Sequence, residues 1–327
     1  MCTHIVLKNK NSKLLSARTM DFSLELNPLA LVFPRNYSVD FIYENPMNNH
    51  FAFSGLGKDV GKYYLADGIN EHGLSCAALY FEGYAKYNED CDKQKINLAP
   101  QEFLHWILAS SKNVEDVIKN IQNINIVSYV LEFIAKAAPL HWVITDATGK
   151  SIIVEPLDGE LVVEENKVGV LTNSPDLNWH YTNMRNYIAL DINQLNPRKI
   201  NDLTLQPFGQ GSGSFGLPGD YTPPSRFVRA VFNKLSCRME DSKDDLLIAS
   251  FAILNNVMIT KGSVKTAHNT IDYTQYVSSI SHEDLTYYFK TYRNPNIRSF
   301  SLLDFDLDEN KLVVLEIDDS FHSESIV

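Results

Sequence analysis

The sequence has no long apolar run, no surplus of basic residues and no recognisable export segment. None of its apolar runs approaches the roughly 20 residues needed to span a bilayer. The net charge is −11, which argues against nucleic acid as a partner because phosphate binding needs a basic face. The first residues lack the charged and then apolar pattern of a signal peptide. We therefore expect a cytoplasmic protein that binds neither nucleic acid nor membrane.

Cysteine and metal-binding motifs are also scarce. The four cysteines form no C-x-x-C pair, so neither a disulfide framework nor a zinc site is indicated. No H-E-x-x-H helix motif and no G-x-S-x-G nucleophile elbow is present. Gly211–Gly216 matches G-x-G-x-x-G but lies in a loop, where a dinucleotide site would need a strand before it and a helix after it. We expect no metal and no other cofactor.

What is present is the composition of a globular protein. An apolar fraction of 44% and a charged fraction of 21% are typical of that class, and we treat residues 1–327 as one domain. Periodicity predicts strands at 3–8, 14–21, 64–66, 74–81, 141–145, 151–155, 167–171, 287–292 and 311–317. Helical patterns lie at 102–110, 114–121, 225–235 and 244–257. Runs of strands with helices grouped between them favour an α+β layered fold.

The second residue is the first candidate for chemistry. The chain opens Met-Cys-Thr, and an initiator Met is generally removed before a small residue such as Cys. Cys2 would then carry a thiol and a free α-amino group, which pairs a nucleophile with a base on one residue. Most cysteines at second positions do nothing, so this hypothesis needs support from other residues.

Two charged residues are predicted to lie near Cys2. Turn residues at 9–12 predict a hairpin in which opposed positions sum to about 21, which places Cys2 across from Thr19. Arg18 and Asp21 are then the nearest charged residues. A guanidinium favours the thiolate form of a neighbouring thiol, and a carboxylate can orient an amine. The same spacing is compatible with an ordinary exposed ion pair.

Two later residues are weaker candidates. Asn173 follows a predicted strand, and an Asn at a strand end can direct its side-chain N–H at a developing oxyanion. A turn-forming Asn before Ser-Pro would give the same pattern. Arg226 begins a helix, where a cation is unfavourable to the helix dipole. It is therefore a candidate for a site, although a surface arginine is the simpler interpretation.

Several segments together resemble one family. The chain is similar to the choloylglycine hydrolases, which include penicillin V acylases and conjugated bile salt hydrolases. The resemblance is collinear and rests on these segments: 1–3, 17–22, 66–71, 139–142, 169–175, 216–220, 225–229 and 273–276.

This resemblance implies a four-layer αββα sandwich of the N-terminal nucleophile hydrolase type and hydrolysis of a linear amide in a small-molecule substrate. It implies Cys2 as the nucleophile, with Arg18, Asp21 and Arg226 as charged site residues and Asn173 in the oxyanion hole. It also implies a homo-oligomer, typically a tetramer.

The remaining site position of the family falls at Tyr80. Bile salt hydrolases usually have Asn there, whereas penicillin V acylases have Tyr. This residue favours a penicillin V acylase that releases 6-aminopenicillanic acid. A bile salt hydrolase and an N-acyl homoserine lactone acylase remain as alternatives.

An acyl group with a ring system needs apolar walls. Apolar residues that follow the Cys2-facing strand, or that lie in the apolar stretch 130–138, are predicted to bind it: Phe22, Leu24, Leu26 and Phe133. Ordinary core packing would explain the same residues.

Two other classes compete with this assignment. A glutamine amidotransferase domain also begins with Cys2 but typically has Gly next, where this chain has Thr3, and it carries a second synthase domain. An inactive binding protein that retains the fold would be unaffected by blocking Cys2.

Overall fold

Most strands belong to two antiparallel sheets in a computed structural model that describes residues 1–238 and 241–325. The strands are β1 (Cys2–Lys8), β2 (Leu14–Phe22), β3 (Leu29–Phe33), β4 (Phe53–Asp59), β5 (Tyr63–Asn70), β6 (Ser75–Tyr80), β7 (Ile96–Leu98), β8 (Ile124–Ile126), β9 (Val130–Leu131), β10 (Lys136–Ala137), β11 (Leu140–Thr145), β12 (Ser151–Leu157), β13 (Glu160–Glu165), β14 (Val170–Leu171), β15 (Arg198–Ile200), β16 (Leu203–Leu205), β17 (Val264–Lys265), β18 (Ile271–Ser281), β19 (Thr286–Thr291), β20 (Arg298–Ser301) and β21 (Val313–Glu316). The helices are α1 (Phe103–Ser110), α2 (Val114–Asn120), α3 (Leu177–Asn183), α4 (Pro223–Ser236) and α5 (Lys243–Asn255).

The two sheets pack face to face between helices. The first sheet has the order β14-β1-β2-β18-β19-β20, with β17 also paired to β18, and the second has the order β13-β12-β11-β6-β5-β4-β3-β21. Side chains of both sheets, such as Cys2, Met20, Ile69 and Val143, share one buried core. Helices α4 and α5 cover the outer face of the first sheet, and α1 covers that of the second. The predicted α+β fold with four αββα layers is confirmed.

The helices begin where the sequence offers suitable caps. The side chain of Asn113 accepts a hydrogen bond of 2.9 Å from the backbone N of Asp116 at the start of α2. Helix α4 starts at Pro223, a residue that tolerates the first helical turn because it has no N–H to leave unpaired. Among the helices of the described residues, none is long and apolar enough to span a bilayer.

The longest strand, β18, was not predicted. Its sequence, IDYTQYVSSIS, is rich in hydroxyl groups and does not alternate between apolar and polar residues. The strand is nevertheless buried, because it lies between β2 and β19 and its polar side chains find partners in the interior. Ser279, for example, accepts a hydrogen bond from Ser250 at 3.1 Å.

The register of the first hairpin differs by one residue from the prediction. Cys2 is paired with Met20, not with Thr19, and Lys8 is paired with Leu14. The turn is longer than expected because the backbone N of Asn9 bonds the carbonyl of Lys13 at 3.1 Å, and the side chain of Asn9 accepts a hydrogen bond from the same residue. In a strand pair, a shift of one residue moves side chains to the opposite face.

Candidate active site

The Cys2 thiol lies at the start of β1, and only 4% of the residue is exposed. Arg18 Nη2 donates a hydrogen bond to Cys2 Sγ at 2.7 Å. The two side chains meet because Cys2 is paired with Met20, so that Arg18, two residues along, is a diagonal neighbour on the same face. A fixed guanidinium at this distance stabilises a thiolate.

Arg18 is held by the second sheet. Its Nη1 donates to the carbonyls of Ala66 at 3.1 Å and Ala78 at 2.9 Å and to Asp67 Oδ2 at 3.3 Å. Burial alone would lower the pKa of Arg18, but the charges around it, Cys2 first among them, raise the pKa above its usual range. The guanidinium therefore stays protonated and links the Cys2 thiol to β5 and β6.

Asp67 is the buried counter-ion of Arg18. Tyr276 donates a hydrogen bond to Asp67 Oδ2 at 2.8 Å, Ser278 donates to Oδ1 at 3.4 Å, and Tyr287 donates to the same oxygen. Both partners of the ion pair are only 1% exposed. Sequence reasoning included Asp67 in a family segment but did not give it a role, because its partners come from β18 and β19, far along the chain.

Asp21 lies on the opposite face of β2 from Arg18, toward the helices. Its carboxylate accepts hydrogen bonds from Thr19 Oγ1 at 3.0 Å and Thr274 Oγ1 at 2.6 Å, and it lies 3.9 Å from Arg226 Nη1. Burial raises the pKa of Asp21, and the charge of Arg226 lowers it in part. The predicted proximity to Cys2 is present, but the Cys2 nitrogen bonds another residue.

Asn173 is that residue. Strand β14 pairs Leu171 with His4, so continuing the same register places Asn173 opposite Cys2. The Cys2 backbone N donates to Asn173 Oδ1 at 2.8 Å, and Asn173 Nδ2 donates to the Tyr80 carbonyl at 2.7 Å. An amide NH₂ group has two hydrogens, so one N–H is engaged by Tyr80 and the other can be offered to a substrate oxygen.

Arg226 completes this cluster from the first turn of α4. Its Nη1 donates to the Cys2 carbonyl at 2.5 Å and to Thr3 Oγ1 at 2.7 Å, while its Nη2 donates to Asn173 Oδ1 at 2.6 Å. The residue is fully buried, which excludes the surface arginine considered from the sequence. Burial lowers the pKa of Arg226, and the charge of Asp21 counters this shift.

A second set of buried side chains supports the Asn173 loop. His180 Nε2 bonds the Asn173 carbonyl at 2.8 Å, and His141 Nε2 bonds the Thr172 carbonyl at 3.2 Å. Burial lowers the pKa of His180 to about 4, so the ring is neutral near pH 7 and holds its proton on Nε2. Glu155 bonds both His141 and the first turn of α3. None of His141, His180 and Glu155 was a site candidate from the sequence.

The Cys2 thiol opens onto a mainly apolar cleft, which is lined by residues of both sheets and of the 130–138 segment. Three of the four predicted acyl-binding residues line it, namely Phe22, Leu26 and Phe133, together with Tyr80. The Phe22 ring packs edge-on against Tyr80 at 5.7 Å. Leu24 does not line the cleft. Strand β2 ends at Phe22, so strand alternation no longer directs Leu24 inward, and its side chain is 36% exposed.

No cluster of three or more His, Cys, Asp or Glu side chains suited to a metal ion occurs in the described part of the chain. The site brings together a thiol, two guanidinium groups, two carboxylates and an amide.

A family model for linear amide C–N hydrolases of the choloylglycine hydrolase family matches residues 2–315. The chain belongs to this family. A bile salt hydrolase/transferase from Clostridium perfringens is 38% identical over 315 residues, which are 95% of each chain. A penicillin V acylase from Pectobacterium atrosepticum is 26% identical and is matched over 86% of this chain and 75% of that protein.

A solved structure agrees with this assignment. The C2A variant of the conjugated bile acid hydrolase from Clostridium perfringens aligns with a TM-score of 0.93 and 36% identity over 100% of both chains. The N-terminal nucleophile hydrolase fold expected from the sequence is confirmed. As a choloylglycine hydrolase family member, the protein is an amidohydrolase that acts on linear amides.

The Arg18–Asp67 pair gives a test of the site's framework. Asp67→Asn keeps the shape but removes the charge that faces Arg18 in a dry interior. We expect the free energy of unfolding to fall by about 3–5 kcal/mol, because removing one partner leaves the other buried and uncompensated. Urea denaturation measures this change, with Asp40→Asn at an exposed position as the control. Equal stability of the two variants would show that Asp67 does not balance Arg18.

Proposed function

We propose that the protein hydrolyses the amide bond of glycine- and taurine-conjugated bile salts. The observation that carries this proposal is the position of Cys2 in the wall of a mainly apolar cleft, which suits a large apolar acyl group. The comparisons support the same choice, since the bile salt hydrolase/transferase is 38% identical and the penicillin V acylase 26%.

This proposal corrects the preference for penicillin V that Tyr80 suggested from the sequence. The contact between Tyr80 and Asn173 is made by the Tyr80 backbone carbonyl. Any residue at position 80 can supply that oxygen, so the side chain there carries less information about the reaction than the family comparison assumed. The Tyr80 ring instead forms part of the cleft wall.

The proposed reaction begins with attack of the Cys2 thiolate, held by Arg18, on the amide carbonyl carbon. The carbonyl oxygen gains negative charge, which the second N–H of Asn173 and a donor near Tyr80 stabilise. The C–N bond breaks as the protonated Cys2 α-amine gives a proton to the leaving glycine or taurine nitrogen. Water, deprotonated by the same amine, then hydrolyses the thioester and releases the free bile acid.

In this scheme Asn173 and Arg226 also orient the Cys2 α-amine and influence its protonation. Asn173 Oδ1 lies 2.8 Å from the Cys2 nitrogen, so it can accept one of the amine's hydrogens. Arg226 holds both Asn173 and the Cys2 carbonyl, and its charge disfavours a second positive charge nearby. Removal of Met1 is part of the scheme, because a peptide nitrogen cannot carry the proton.

A side-by-side assay tests the substrate. Purified enzyme is given glycocholate, taurocholate, penicillin V and an N-acyl homoserine lactone, and intact mass is recorded for each preparation. We expect kcat/KM to be at least about tenfold higher for the bile salts, because a larger apolar acyl group gains more from the cleft. A higher value for penicillin V would overturn the proposal. Turnover by protein that retains Met1 would contradict the role of the α-amine.

The oxyanion role is tested by Asn173→Ala. Loss of one oxyanion donor costs about 2.7–4 kcal/mol in the barrier, so kcat should fall about a hundredfold or more. The control is Asn178→Ala, since the exposed Asn178 side chain donates to Glu164 at 3.2 Å and does not line the cleft. Near-normal kcat in the Asn173 variant would show that the role is misassigned.

We also propose that the protein self-associates, as the family resemblance implies. Residues 188–216 form an arm that carries large apolar side chains into solvent, among them Ile188, Phe208 and Phe215, which are 88%, 103% and 90% exposed. Apolar exposure of this extent is typical of a contact surface. A second copy of the chain is the occupant we propose.

Light scattering tests self-association. We expect a tetramer for the native chain and a smaller particle for the Phe208→Ser, Phe215→Ser double variant, because two exposed rings are removed from the contact. Phe321→Ser, at an exposed position outside the arm, is the matched control. An unchanged mass in the double variant would exclude the arm as the interface.

A further inference from the structure

Strand β18 contains a β-bulge beside the active site. Along its pairing with β2, Thr274 lies opposite Asp21 and Tyr276 lies opposite Met20, so Gln275 is an extra residue with no partner of its own. A bulge of this kind redirects a side chain and is common next to active sites. Here three consecutive side chains take three different directions.

Two of these three side chains contact the site described above. Thr274 donates to the Asp21 carboxylate, and Tyr276 donates to Asp67. Gln275 points elsewhere. Its side chain reaches the segment that follows β2, where Phe22 and Leu26 form one wall of the cleft.

The Gln275 carboxamide matches three backbone groups of that segment. Its Nε2 donates to the carbonyls of Phe22 at 3.0 Å and Leu24 at 2.7 Å, and its Oε1 accepts from the backbone N of Leu26 at 2.8 Å. Both amide hydrogens and the amide oxygen are thus used. Gln275 is only 6% exposed, so water does not compete freely for these bonds.

The segment needs such support because it has no strand partner. It leaves the sheet after Phe22, and Asn27 adopts a left-handed conformation with φ of 45°. Lys58 tethers the segment from β4 by donating to the carbonyls of Glu25 at 3.3 Å and Leu26 at 2.7 Å. Gln275 makes three further bonds to the backbone of this segment and does not itself line the cleft.

We propose that Gln275 is a positioning residue that sets the shape of the acyl cleft without touching the reacting atoms. It contacts none of Cys2, Arg18, Asn173 or Arg226 in the hydrogen bonds of the described residues. The inference deepens the proposed function, on which it rests for the identity of the acyl group. In this proposal Gln275 supports recognition of the acyl group, whereas the residues around Cys2 carry out the bond cleavage.

The test uses two substitutions. Gln275→Glu keeps the acceptor for Leu26 but turns a carboxylate oxygen toward two carbonyls, and Gln275→Met removes all three bonds at similar size. We expect KM for glycocholate and the inhibition constant of free cholate to rise together by about tenfold, with kcat within about twofold of the native value. Alkylation of Cys2 by iodoacetamide should keep its rate.

Gln122→Met is the matched control, since Gln122 is exposed, lies in the short turn after α2 and does not line the cleft. Unchanged KM and cholate inhibition in both Gln275 variants would overturn the proposal. So would a fall in kcat together with slower Cys2 alkylation, which would indicate a general structural role. Melting temperatures establish that each variant is folded. If Gln275→Glu does not fold, Gln275→Met alone provides the test.

Failure of the proposed function gives a different result. In that case the native enzyme itself does not hydrolyse glycocholate. The Gln275 variants are then compared on the N-acyl amide that the native enzyme hydrolyses fastest, with its free acid as the inhibitor, and the same joint rise in both constants is expected.

Discussion

The buried pair of Arg18 and Asp67 is the interaction on which the site depends. Arg18 belongs to the first sheet and Asp67 to the second, and both are almost fully removed from water. Charges in such surroundings are tolerated only when their hydrogen-bonding groups are satisfied. The Tyr276 and Tyr287 hydroxyls, together with two backbone carbonyls, meet this need. The contact between the sheets therefore fixes the guanidinium that faces the Cys2 thiol.

Much of the fold could be predicted from the sequence because local patterns determine it. The strands that carry Cys2 and Arg18, the cap at Asn113 and the proline at the start of α4 all have short-range signals. Strand β18 had none, since its Ser and Thr residues are buried only because distant strands supply their partners. The hairpin register was wrong by one residue, because the turn length depends on the Asn9 side chain, which closes a longer loop.

The site also contains residues that the sequence indicates and residues that it does not. Resemblance to a family grouped five residues into one site, namely Cys2, Arg18, Asp21, Asn173 and Arg226. The structure joins these residues by hydrogen bonds and an ion pair. Asp67, Gln275 and His180 were given no role from the sequence, because their hydrogen bonds to Arg18, Leu26 and Asn173 arise only in the folded chain. Leu24 was misplaced because it was chosen only as an apolar residue after the strand, and its side chain turns toward solvent beyond the end of β2.

The position of β1 has a practical consequence. This strand lies inside its sheet, between β14 and β2, and Met1 already continues the ladder by exchanging backbone hydrogen bonds with Asp21. A fusion partner placed ahead of Cys2 would continue from this paired strand and would keep the Cys2 nitrogen in a peptide bond. Residues 319–325 at the other end are exposed. Affinity tags, surface tethers and reporter domains therefore belong at the carboxyl end of this protein.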